Sequence, residues 1–196
     1  MKGDLEGALA DYNEAIHLKA DYALPFNNRG LILYAKGDLD GALAGYNKAI
    51  DLKPDYANAF VNRGNARGAK GDLNGALQDY SEAIRLQPDY ADAFYNRGSV
   101  RKDQGDLEGA LQDYNEAIRL RPDYADAYYN RAVIFRDKAN YGIAIEDFQR
   151  YLNSGGGVRD GDQAEVEQQI RNLKKKLAAS QEKTKSNRAV KRRRKK

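Results

Sequence analysis

Cysteine is absent from all 196 residues, and histidine occurs once. A chain without thiols has no disulfide framework, no thiol nucleophile and no soft metal ligand, and one imidazole makes no metal cluster. Long apolar runs are missing as well. Nowhere do about 18 consecutive apolar residues occur, so no membrane-spanning helix and no membrane partner are expected. The opening residues, MKGDLEGALADY, lack the basic-then-apolar pattern of an export signal. A cytoplasmic location is the expectation, or a nuclear one for a eukaryotic source. There is no Gly-rich phosphate loop, no nucleophile elbow and no carboxylate pair at catalytic spacing. The single imidazole, His17, is replaced by Asp51, Arg85 and Arg119 at equivalent positions, which marks an exposed helical surface. Neither catalysis nor a cofactor or metal is expected.

What the chain does have is charge, unevenly placed. Residues 181–196 hold nine Lys or Arg against one Glu, a net +8, so residues 1–180 carry −4. The basic character belongs to the tail and not to the body of the fold.

The body repeats. Gly-Asp-Leu recurs at Gly3, Gly37, Gly71 and Gly105, a period of 34 residues, and the next step falls on Ala139-Asn140-Tyr141. Segments 57–90 and 91–124 are identical at 24 of 34 positions. In each unit an apolar stripe such as Leu107, Leu111, Tyr114, Ile118 predicts a helix with one buried face. The Gly-Asp before it ends the preceding helix and supplies an N-cap carboxylate. Pro54, Pro88 and Pro122 end the second helix. A lone helix pair cannot bury its own faces, so stacking makes the core.

Within 91–124, Phe94, Gly98, Ala110, Tyr114, Ala117 and Pro122 stand at the spacing of the tetratricopeptide signature, and Phe60, Gly64, Ala76, Tyr80, Ala83 and Pro88 repeat it. The chain resembles the tetratricopeptide repeat (TPR) family over about residues 3 to 153. One departure is systematic: Arg29, Arg63, Arg97 and Arg131 stand where the family has leucine before the glycine. The resemblance implies an all-α fold, a right-handed α-α superhelix (solenoid) of 34-residue helix-turn-helix repeats with a C-terminal capping helix. The expected organisation is a half repeat at 1–22, repeats at 23–56, 57–90 and 91–124, and a divergent repeat at 125–158. A capping helix at 159–180 and a basic disordered tail at 181–196 follow. The half repeat supplies a second helix without its first-helix partner, so it is expected to fray, to self-associate or to belong to a longer natural chain. Arg63, Arg97 and Arg131 are matched by Asp79, Asp113 and Asp147, an arrangement expected to form semi-buried ion pairs, whereas Arg29 faces Gly45.

The family implies a protein-binding scaffold or adaptor whose first helices line a concave groove. Seven of the ten differences between 57–90 and 91–124 lie in the first helix, which is the pattern that recognition on a fixed framework requires. Inside that helix Asn28, Asn62, Asn96 and Asn130 hold one place in four units. They look like the asparagine ladder of the family's superhelical members, including O-linked N-acetylglucosamine transferase, where amides bond a peptide backbone. The alternative is that each Asn bonds a neighbouring helix. Chaperone-binding members use Lys and Arg to clamp a carboxylate, but the corresponding sites here are Val61, Asn65, Asn96, Asp126 and Asn130. With Asp92 and Asp126 beside Tyr95 and Tyr129, a protein or peptide ligand of basic and apolar character is expected. The rival reading is nucleic-acid or polyanion association through Lys191, Arg192, Arg193, Arg194, Lys195 and Lys196, with the repeats as spacer.

Overall fold

The computed structural model describes the backbone of residues 2–193 and the side chains of residues 5–183. Among the described residues the chain is all-helical, with eleven helices and no strand: α1 (Lys2–Leu18), α2 (Ala23–Ala35), α3 (Leu39–Leu52), α4 (Ala57–Ala69), α5 (Leu73–Leu86), α6 (Ala91–Asp103), α7 (Leu107–Leu120), α8 (Ala125–Asp137), α9 (Tyr141–Asn153), α10 (Gly156–Asp160) and α11 (Gln163–Arg193). None of them is long and apolar enough to cross a membrane. They fall into two compact units, residues 1–113 and 114–196.

The turns explain the helix boundaries. Gly37, Gly71 and Gly105 have φ of 83°, 85° and 83°, a left-handed conformation that glycine adopts without a Cβ penalty. The next residue, Asp38, Asp72 or Asp106, accepts the backbone N–H of Gly41, Gly75 or Gly109 at 2.9 Å and caps the second helix. At the divergent turn the left-handed residue is Ala139, with φ 58°, and Asn140 caps nothing with its side chain.

In the first unit, first helices α2 and α4 pack on second helices α3 and α5, and α2, α4 and α6 lie side by side. Glycine sets the closeness. A Cβ on Gly30 would meet the Tyr46 ring at 2.6 Å, and one on Gly64 the Tyr80 ring at 2.7 Å. Those rings fill the space, with Tyr46 1% and Tyr80 3% exposed, each contributing on the order of 1.5–3 kcal/mol. Burial pushes both hydroxyls' pKa up, with Tyr34 adding to it. In the second unit α9 packs on α8, α10 and α11, over a core of Ile145, Phe148, Tyr151, Val166, Ile170 and Leu173.

Two features of the C-terminal part differ from the expectation. The Gly-rich stretch folds into the short α10, bracketed by Gly155 and Gly161 at φ 78° and 74°. Tyr151 fastens it by donating to Asp160 at 3.0 Å and Asp162 at 2.8 Å. The capping helix starts at Gln163 and continues to Arg193, so residues 181–193 have helical backbone where a disordered tail is expected. That stretch contains neither Gly nor Pro and is rich in Lys and Arg, so helix propensity opposes the charge repulsion.

Candidate functional site

The arginines that replace the family's leucine are structural. Arg63 donates to Asp79 through Nε at 3.0 Å and Nη2 at 2.6 Å, and through Nη1 to Asn47 at 2.8 Å. One first-helix side chain thereby ties its own second helix to the second helix of the preceding repeat. Arg97 does the same to Asp113 and Ser81, and Arg131 to Asp147 and Asn115. The aspartates are 2–3% exposed. Arg67 and Arg101 add a second cation to Asp79 and Asp113, at 2.9 and 2.8 Å; the equivalent place before Asp147 holds Phe135. Arg29 reaches Asn13 at 3.2 Å, but its buried Nε has no partner opposite Gly45. A Cβ on Gly45 would lie 2.8 Å from the Phe26 carbonyl oxygen, so α2 approaches α3 too closely there for an aspartate.

The asparagine row occupies the first-helix face. Asn62 donates through Nδ2 to Asn27 Oδ1 on the preceding first helix at 2.9 Å. Asn96 donates to Asn65 Oδ1 at 3.1 Å, an oxygen that also accepts the Tyr80 hydroxyl at 2.8 Å. Asn28 donates to the Tyr12 hydroxyl at 3.4 Å. Each of these amides therefore bonds a neighbouring helix through one N–H. The Oδ1 atoms of Asn62 and Asn96 have no partner among the described residues, and both side chains are half-exposed. Asn27, buried at 3% exposure, is the junction that sequence reasoning overlooked. The signal was an amide in a column otherwise filled by Val61, Tyr95 and Tyr129.

The remaining candidates divide. Tyr95 and Asp92 are half-buried on α6, with Asp92 in its first turn, where a carboxylate also favours the exposed helix N–H groups. In the second unit Asn130 is half-buried on α8. Tyr129 packs edge-on to Phe148 at 5.6 Å between centroids and against Tyr151 at 5.0 Å, so it belongs largely to the core. Asp126 is paired with Arg159 of α10, a partner hidden 33 residues away in the sequence, which offsets its charge. Arg159 also holds the Asp160 carboxyl down to about 2. The side chains of Lys191, Arg192 and Arg193, and the whole of Arg194, Lys195 and Lys196, lie outside the described residues.

This geometry agrees with known proteins. The TPR repeat model matches residues 2–37, 30–71, 64–105 and 98–138, and a second tetratricopeptide repeat model matches residues 125–154. The chain belongs to the tetratricopeptide repeat family. Among solved structures it is similar to MamA, with 23% identity over 81% of this chain and 93% of that one and a TM-score of 0.71. It is also similar to MamA residues 41 to the end from Desulfovibrio magneticus RS-1, with 21% identity over 79% and 87% and a TM-score of 0.69. The first TPR of Spaghetti (RPAP3), bound to the HSP90 peptide SRMEEVD, gives 27% identity over 60% and 93% and a TM-score of 0.58. No curated protein matches. The repeats and these neighbours support a protein-interaction scaffold.

Proposed function

We propose that the chain is an adaptor that binds an extended peptide along the first-helix face of α2, α4 and α6. The observation that carries this reading is the state of Asn62 and Asn96. Each amide is held in place by one N–H to the neighbouring helix while its half-exposed Oδ1 has no partner among the described residues. Acceptors fixed in advance and spaced by the repeat suit the backbone N–H groups of an extended ligand, and a fixed acceptor costs little ordering entropy on binding. The RPAP3 neighbour, bound to its HSP90 peptide, gives a precedent for peptide capture by this fold. The ligand here is of basic and apolar character, because the face offers Tyr95, Asp92 and Asp103 in place of a cationic clamp.

The test is a pull-down with source lysate, followed by titration of the captured partner's peptides. Three chains are compared: the intact one, one ending at Ser180, and one with Asn62, Asn96 and Asn130 changed to Ala. Loss of two ligand hydrogen bonds of about 1 kcal/mol each weakens binding roughly 30-fold. Circular dichroism of the variant guards against simple unfolding. Binding that survives the asparagine changes and disappears with the tail would replace this reading by polyanion association.

A further inference from the structure

In the first unit the side chains of Tyr46 and Tyr80 are seated alike, but their hydroxyls end differently. A Cβ on Gly30 would meet Tyr46 Cε1, Cδ1 and Cζ at 2.6, 2.9 and 3.1 Å, and one on Gly64 would meet the same atoms of Tyr80 at 2.7, 3.0 and 3.1 Å. Tyr80 donates its proton to Asn65 Oδ1 of α4 at 2.8 Å. By the 34-residue repeat, the residue of α2 in the place of Asn65 is Leu31, which has no acceptor. Tyr46 is 1% exposed, and its hydroxyl has no partner among the described residues. Arg29 Nε is the one fully enclosed side-chain polar atom left unpaired among those residues, so the Tyr46 oxygen is the point at which this buried side chain reaches the surface. Burial and the neighbouring Tyr34 hold its pKa above the ordinary value, so at neutral pH it keeps its proton and is a donor.

The amides around it do not take that donor in. At the α4–α6 junction Asn96 Nδ2 joins Tyr80 on Asn65 Oδ1. At the α2–α4 junction Asn62 Nδ2 turns instead to Asn27 Oδ1 at 2.9 Å, and Asn27 Nδ2 donates to Asn28 Oδ1 at 3.1 Å. The α2–α4 junction therefore holds a fixed donor, Tyr46 Oη, and a fixed acceptor, Asn62 Oδ1. The next junction offers only the acceptor of Asn96, because its phenol is already bonded. The side chains differ in the same sense. Leu31 and Tyr34 are 43% and 37% exposed on α2, whereas their counterparts are Asn65 and Gly68 on α4, and Ser99 and Lys102 on α6.

Building on the peptide-groove reading, on which the assignment depends, we propose that the α2–α4 junction is the anchoring subsite of the groove. There Tyr46 Oη donates to a backbone carbonyl of the extended peptide, Asn62 Oδ1 accepts a backbone N–H, and an apolar side chain of the peptide lies against Leu31 and Tyr34. In an extended strand the N–H and C=O of one residue point to the same edge, which is the pattern that a donor and an acceptor together meet. A ligand that covers Tyr46 without bringing an acceptor leaves a buried hydroxyl unsatisfied, and that penalty selects the register. Proline at this residue has no N–H for Asn62 and is disfavoured.

The probe is a phage-displayed library of random nonapeptides selected on the full chain, from which the strongest sequence is synthesised and titrated by calorimetry. Tyr46→Phe removes the hydroxyl alone. The expected result is a Kd about fivefold weaker with the urea midpoint unmoved, because no internal bond is lost. Tyr80→Phe, which loses the bond to Asn65, lowers the midpoint. The selected peptides share one apolar position, and proline there weakens binding at least as far as Tyr46→Phe does. A Tyr46→Phe chain that binds as tightly as the wild type, or that loses as much stability as Tyr80→Phe, overturns the anchoring subsite. If Asn62→Ala still weakens binding in that case, the peptide groove stands without it. If the peptide binds both variants undiminished, or no peptide is selected, the groove and its anchor fall together.

Discussion

The cleanest test of the arginine latch is in the divergent repeat, where among the described residues Arg131 is the one cation paired with Asp147. The aspartate side chain is 5% exposed and the arginine 18%. Removing Arg131 as Leu leaves a carboxylate enclosed by helices α8 and α9 with no counter-charge, which costs about 3–5 kcal/mol. Removing Asp147 as Leu is milder, roughly 2 kcal/mol, because Arg131 keeps its bond to Asn115 at 2.6 Å and its seat 5.5 Å over the Tyr128 ring. The double change to Leu at both positions restores the leucine of the family signature and fills the space with apolar atoms. It stands within about 1 kcal/mol of the wild type, since a buried pair replaced whole by well-packed hydrophobes is often neutral or better. Urea denaturation followed by circular dichroism at 222 nm measures all four corners of the cycle, fitted with nearest-neighbour coupling because repeat arrays need not unfold in one step. If Arg131→Leu costs less than about 1 kcal/mol, or the double variant loses the sum of the singles, the pair does not act as a coupled unit and the argument fails.

Ala139→Gly relieves a left-handed alanine at φ 58° and raises stability by about 1 kcal/mol, read as a higher urea midpoint. Tyr46 and Tyr80 have pKa values raised by burial, so their contribution is complete below the unfolded value of 10 and is lost as pH rises above it. Absorbance at 295 nm is expected to show those two ionising together with unfolding rather than before it. Asp160 titrates at about 2 instead of 3.8 because Arg159 bonds it, so its help in ordering α10 is present above 3.8 and fades as pH falls through about 2. Amide exchange over residues 156–160 as a function of pH checks this, and a flat profile from pH 5 to 2 would contradict it. Gly64→Ala drives a Cβ into the Tyr80 ring at 2.7 Å; the expected cost is about 1–3 kcal/mol, and Tyr80→Leu in the same chain recovers part of it.

Much of this was readable before any coordinates, because one period of 34 aligns every first helix with its partner. The turns and the pairing of Arg63, Arg97 and Arg131 with aspartates follow from that alignment alone. Features that break the period were the ones missed. Arg159 reaching Asp126, Tyr151 gripping α10 and Tyr129 turning into the core all occur after residue 125, where the repeat diverges and no second unit exists for comparison. The second arginines, Arg67 and Arg101, stand four residues after Arg63 and Arg97, a spacing that places them on the same aspartates. Asn27 escaped because a lone amide among Val and Tyr equivalents carries no period of its own.

The latch has one more consequence. Arg63, Arg97 and Arg131 each find an acceptor 16 residues before and another 16 residues after themselves. Both intervals are shorter than the unit of duplication. Splicing out or pasting in a block of one whole unit cut between residues 47 and 147 therefore delivers, at the new seam, an arginine already flanked by suitable oxygens on either side. Recombination between such near-identical segments heals its own joints, and the number of links in the array is free to change without a single compensating substitution.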